Sequence, residues 1–204
     1  MTDIRREREK EEMREEILLA ATEIIKSEGF EKLSIRKIAK KIDYSPSIIY
    51  HYFKDKDDIL NCYMQRGYKK IVSAVASVET KNLPPKERLK EMTKNYIEAA
   101  LNMPDEFMAA QLNDSPRALM YTGTLFKGAS KTKPALAGLV ACLKEIYKEA
   151  LIEDDMIEIT AQAITVSTLG LIMKLIIEKD IKKEQKNRLI TFYIDDVVFR
   201  IAGI

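Results

Sequence analysis

Between Ser34 and Lys56 the chain reads SIRKIAKKIDYSPSIIYHYFKDK. Hydroxyls at Ser34, Ser45 and Ser47, phenols at Tyr50 and Tyr52, the imidazole of His51 and the cations Arg36 and Lys56 are gathered in this one stretch. They are groups that bind phosphate oxygens and the edges of base pairs. Ser45, Ser47, Ile48 and His51 are expected at base edges, with Ile48 suited to a thymine methyl. Tyr50, Tyr52 and Lys56 are expected at phosphates, and Arg36 at either. Ser34 and Pro46, which open the two helices that carry these groups, complete the surface.

The elements that must position them follow from spacing. Ile35, Ile38, Ala39 and Ile42 recur at helical intervals behind Ser34, an N-cap residue. This helix should stop near Asp43, leaving Tyr44 in a turn, because Ser45-Pro46 signals a new start with Pro46 at the first helical position. The second helix, Pro46 to Phe53, is predicted to bury Ile49 and Phe53 and to expose Ser47, Ile48, His51 and Tyr52. Two helices joined by a short turn, the second polar outside, describe a helix-turn-helix. From Lys32 to Lys56 seven basic residues face two acidic ones, in a chain whose net charge is only +2. A local positive surface suits phosphate; a solvated lysine-rich helix face is the other reading of such a run.

In Gly29-Phe30, Ser34, Ile38-Ala39, Ser45, Tyr50-His51-Tyr52-Phe53, Lys56 and Ile59-Leu60, over residues 13 to 62, the sequence resembles the TetR family of repressors. It departs from the family at the turn, where Asp43 stands for the usual Gly and Tyr44 for a Val or Ile. The resemblance implies an all-α fold. Residues 1–56 would form a three-helix DNA-binding domain, 57–78 a connecting helix, and 79–204 a larger helical domain for ligand binding and dimerisation. It also implies a ligand-responsive repressor that binds a near-palindromic operator in double-stranded DNA as a homodimer. A transcriptional activator, or a helical architectural or partner-binding protein that retains the motif, are the alternatives.

The rest of the chain reads as helix, with Gly and Pro gathered at joints. Helices are predicted from about Arg5 or Lys10 to Ser27, then from Asp55 to Val78, the latter capped by Asp55 with Asp58 in its first turn. Others are expected over 86–102, 104–113, 115–127, 133–151, 154–179 and 183–202. The last two are apolar on more than one side and so need two partners. Ile164, Leu169, Ile172, Ile176, Phe192, Val197 and Phe199 are expected in a four-helix interface with a second copy; a central place in a monomeric core is the alternative. Tyr96, Met103, Phe107, Met108, Met120, Tyr121, Cys142, Tyr147 and Met173 are the candidate contacts for an apolar or aromatic effector, although such residues also make ordinary core.

Several classes are disfavoured. One histidine and two distant cysteines, Cys62 and Cys142, offer neither a metal site, a disulfide framework nor a His-based triad. With no Gly-rich phosphate loop either, no enzyme and no cofactor are expected. The N-terminus lacks the apolar stretch of a signal peptide. The apolar run Ile164 to Ile177 is fourteen residues, short of the about twenty that a membrane span needs. A cytoplasmic location is therefore expected, without membrane contact.

Overall fold

The computed structural model describes residues 2–78 and 82–204, and side chains there except at 2–4, 30 and 117. Phe30, one of the residues that carry the resemblance, thus lies outside the described side chains. Among the described residues all regular structure is helical: α1 (Thr2–Glu28), α2 (Ile35–Lys41), α3 (Pro46–Tyr52), α4 (Lys56–Ala76), α5 (Pro85–Leu101), α6 (Pro104–Gln111), α7 (Pro116–Thr122), α8 (Pro134–Ile146), α9 (Asp154–Ile177), α10 (Lys183–Phe192) and α11 (Val198–Ala202). Short 3-10 turns occupy Phe30–Lys32 and Ala129–Lys131, and a π-helical turn at Tyr193–Val197 joins α10 to α11. Five of the six prolines, Pro46, Pro85, Pro104, Pro116 and Pro134, take the first position of a helix. There the missing N–H has no intrahelical partner to lose and φ is preset.

Two apolar cores share α4. Ile17, Ala21, Ile38, Ile49, Phe53 and Ile59 close the small one, made by α1 to α3 and the start of α4. Val75 at the far end of α4 and Val78 just beyond it join Leu89, Ile97, Leu143, Ile164, Ile172 and Val198 in the large one. Residues 56–76 therefore carry one rod from the small core to the large one, and end two residues short of the predicted 57–78.

Helix α7 is shorter than the predicted 115–127. A Cβ on Gly123 would stand 2.8 Å from the Leu119 carbonyl oxygen, so glycine there lets the chain leave the helix over its last turn. Behind it, α9 turns a carboxylate inward. Glu158 Oε2 accepts the Gly128 N–H at 2.7 Å, and Oε1 accepts the Ser130 N–H at 2.8 Å and the Ser130 hydroxyl at 2.6 Å. The loop between α7 and α8 is thereby tied to α9.

The predicted interface needs correction. Ile164 and Ile172 are buried within their own subunit, and Leu169, Ile176, Val197 and Phe199 pack against that same core. Of the seven residues only Phe192 is open, at 60% exposure. Both sides of α9 are apolar, and the spacing alone did not distinguish them. The outward stripe is Met156, Ile159, Ala163, Val166, Gly170 and Ile177. In the last segment the π turn inserts a residue into the helical phase. It brings Tyr193, Ile194 and Val198 inward while Leu189 and Phe192 stay outside. At 24 residues α9 is also longer than the predicted apolar run, and by length and composition it meets the requirement for a membrane span. Its inner side nevertheless carries Glu158 and Thr168, both buried against the chain itself.

The Ser130 hydroxyl, with the N–H groups of Ser130 and Gly128, holds the Glu158 carboxyl below its ordinary range. A folded-state pKa below the unfolded value stabilises the protein above the ordinary glutamate range of about 4.3, and that stabilisation is lost as pH falls through the folded value. Glu158→Gln should melt below wild type near neutral pH, with the gap narrowing below about pH 4. Thermal melts showing a constant gap across that range would contradict the assignment.

Candidate nucleic-acid interface

Helix α2 begins where expected: the Ser34 hydroxyl accepts the Lys37 N–H at 3.3 Å. Its end is a Schellman closure. Tyr44 N–H donates to the Ala39 carbonyl at 2.9 Å and Asp43 N–H to that of Lys40 at 3.4 Å, with Asp43 at φ 59°. That left-handed position favours Gly, and Asp fills it as one of the few other residues that tolerate it. The turn thus survives the departure noted at Asp43.

Helix α3 is held from beneath. Ile49 and Phe53 are almost wholly buried, and Arg14 of α1 covers its C-terminal end. The Arg14 guanidinium lies 4.3 Å from the Phe53 ring centre and donates to the Tyr52 carbonyl at 2.6 Å. This leaves Ser45, Pro46, Ser47, Tyr50 and His51 exposed, Tyr50 by 57%, while Ile48 is half-buried. Tyr52 is also half-buried, its ring against the small core, so less of it is free than expected. Ser45 occupies the N-cap position without capping; its hydroxyl pairs with that of Ser47 at 2.7 Å. The half-buried Ser34 hydroxyl is committed to its cap.

Around this face Arg36, Lys40, Lys54 and Lys56 are exposed. Lys56 opens α4 one turn from α3, behind Asp55, whose carboxylate caps the Asp58 N–H at 2.8 Å. Lys37 and Lys41 are instead paired with Glu28 and Glu23 of α1. Arg5 and Arg8 pair with Glu9 and Glu12 along α1 itself. Arg14 escaped the sequence reading because nothing separates it from the other charges of its highly charged segment; exposed Tyr44 and Lys40 were legible as turn and helix-face residues only.

A second site lies among α4 to α9: an apolar cavity of about 140 Å³. Tyr96, Met103, Phe107 and Tyr121 of the nine expected contacts line it. Met120 projects to solvent, 70% exposed, and Met108 lies off the lining. Cys142 faces Pro85, whose carbonyl its thiol meets at 3.2 Å, and the Tyr147 hydroxyl donates to the Ala202 carbonyl at 2.5 Å. Met173 sits half-buried on α9 away from the lining. Each of these five follows an apolar pattern that a plain core produces equally well. Burial raises the phenols of Tyr68 and Tyr96 above their ordinary range, so both stay neutral donors. Two charged side chains at the cavity, Glu106 and Lys133, were missed; neither has a sequence context that distinguishes it from a surface charge.

A turn closed by left-handed Asp43, a short helix presenting hydroxyls, a phenol and an imidazole, and cations beside it that are unpaired among the described residues define a helix-turn-helix protein with a separate helical cavity. Residues 17–63 match the model of the tetR family of bacterial regulatory proteins. It is 29% identical over 86 residues to an uncharacterized HTH-type transcriptional regulator of Haemophilus influenzae, covering 42% of this chain and 46% of that protein. The chain spans less than half the length of the curated relatives it matches. Similar solved structures include the fatty acid degradation regulator FadR of Bacillus halodurans, with a TM-score of 0.69, 18% identity, and coverage of 93% of this chain and 94% of that one. FadR of Thermus thermophilus, a TetR family transcriptional repressor in complex with lauroyl-CoA, has a TM-score of 0.56, 19% identity, and coverage of 87% and 93%. At these identities what is shared is the fold.

Backbone strain at the turn is testable. Asp43→Val should cost about 1–2 kcal/mol, because a β-branched side chain is forced into a left-handed conformation, whereas Asp43→Gly should not destabilise. Urea unfolding that ranked the two variants in the opposite order would contradict the turn geometry.

Proposed function

We propose that the chain is a transcriptional regulator that binds a near-palindromic DNA site as a dimer and releases it when a small molecule fills the cavity. The observation that carries this reading is the α3 surface. Its exposed donors are held rigidly by buried Ile49 and Phe53, with unpaired Arg36 and Lys56 at its flanks. Ser45, Ser47, Ile48 and His51 meet base edges, and Tyr50, Lys56 and the open part of Tyr52 meet phosphates. Nothing in this reading calls for catalysis, and a duplex-binding protein of this kind works in the cytoplasm. The repressor named among the structural relatives supports repression as the sign of the effect.

The dimer forms through the outer stripe of α9 with Leu189 and Phe192 of α10, an isologous pairing that places two recognition helices about one helical turn of DNA apart. The apolar side chains exposed there, among them Ile159 at 50%, Val166 at 42% and Ile177 at 57%, support it. A specific dimer would bury about 800 Å² per subunit. A relative binds lauroyl-CoA. The present cavity matches the roughly 150 Å³ known to hold a single benzene ring, so an acyl chain of that length requires α4 to α9 to part. A compact apolar or aromatic effector fits without that movement.

Selection of duplexes from a random pool by the purified protein should yield a palindrome; recovery of no preferred sequence contradicts the reading. Lys56→Ala should weaken binding to all sequences alike and reduce the salt slope by about one unit, while Arg36→Ala or Ile48→Ala changes preference at one base position by about 1–3 kcal/mol. Val166→Asp, placing a charge in the outer stripe, should yield a monomer in sedimentation analysis; an intact dimer means that another face associates.

A further inference from the structure

Glu106, in the first turn of α6, has the cavity on one side and the DNA-binding helices on the other. Its Oε1 lies 3.5 Å from the Lys26 ammonium of α1, whereas its buried Oε2 has no hydrogen-bond partner among the described residues. Helix α4 passes against it, since a Cβ on Gly67 would lie 3.7 Å from that of Glu106. A buried carboxylate oxygen without a donor carries a desolvation cost that a hydrogen-bond donor, above all a charged one, would remove. Around it the wall is apolar or aromatic: Met64, Tyr68, Met103 and Phe107.

The other charged group at the cavity is differently placed. Lys133 donates to the Leu119 carbonyl at 3.3 Å, which also accepts the Gly123 N–H, and to that of Met120 in the last turn of α7. Its ammonium is already engaged, so the unmet demand of the cavity is for a donor and not for an anion.

We propose that Glu106 selects effectors that carry a protonated amine on a compact apolar body, and that the amine displaces Lys26 as the partner of this carboxylate. The proposal deepens the regulator reading above and rests on it for its second half. Lys26 and Arg14 belong to one helix, separated by about 18 Å of continuous rod. Arg14 holds the Tyr52 carbonyl and the Phe53 ring at the end of α3. Loss of the Lys26 contact frees the C-terminal end of α1 from α6, and the resulting tilt reaches the recognition helix through Arg14. An effector of equal affinity for both arrangements would shift nothing; competition with Lys26 supplies the difference that coupling requires.

Three ring compounds of similar size test this: benzylamine, benzyl alcohol and benzoate. Calorimetry on the full chain should show benzylamine bound at least about tenfold tighter than benzyl alcohol, with benzoate weakest, and Glu106→Gln should erase that preference while still binding benzyl alcohol. On the selected duplex, saturating benzylamine should weaken wild-type binding about fivefold or more by fluorescence anisotropy. Lys26→Met should bind benzylamine more tightly than wild type, its competitor gone, and should hold DNA with an affinity that benzylamine scarcely changes. Benzyl alcohol or benzoate bound as well as benzylamine, no binding of any of the three, or an unchanged preference in Glu106→Gln overturns the effector class. A full benzylamine response in Lys26→Met overturns the link to α1. If the wild-type protein selects no duplex, the regulator reading fails together with that link, while calorimetry still decides the amine preference.

Discussion

Burial of Ile49 and Phe53 beneath α3 is the constraint on which the rest of the molecule depends. A seven-residue helix is too short to persist alone in water. It exists because two side chains four positions apart enter the small core, and because Arg14 accepts the Phe53 ring against its guanidinium while satisfying the Tyr52 carbonyl. That arrangement fixes the rotation of the helix about its own axis. Rotation decides which groups reach outward, and so whether Tyr50 and His51 stand in solvent or become part of the interior.

The larger core solves a different problem with α9. An amphipathic helix needs one partner, but α9 has an inner face closed by α5, α8 and α11 and an outer apolar face that the chain does not cover. Glu158 and Thr168 mark the inner face as firmly as the aliphatic side chains do, because each is buried with its hydrogen bonds met. Burial of polar groups with satisfied bonds is what distinguishes an interior from a covered surface. Tyr193 completes this pattern by meeting Thr168 at 2.9 Å, which locks the π turn onto α9.

Legibility in the sequence followed the strength of local signals. The helix starts were readable because prolines and caps act within one turn, as at Pro46, Pro104 and Asp55. The turn at Asp43 was readable because backbone hydrogen bonding demands a left-handed residue there, whatever its identity. The exposed face of α3 emerged from the same local periodicity, apart from the half-burial of Ile48 and Tyr52. Long-range choices were not readable. Which side of α9 turns inward depends on α8 and α11, so the α9 residues predicted for an interface lie on the side packed within the subunit. The cavity depends on six helices converging, which apolar composition around Met108, Met120 or Tyr147 does not report. Lys26 with Glu106, 80 positions apart, carries no local trace at all.

The π turn at Tyr193–Val197 separates two surfaces of what is otherwise a continuous helix. Before it, Leu189 and Phe192 look outward; after it, Val198 and Ala202 are sealed inside. Substitutions on the outward side therefore leave the interior undisturbed. A duplicated copy of this chain would be free to diverge at those positions without repacking its core. The extra backbone residue thus insulates the exposed apolar surface from the packing of the interior.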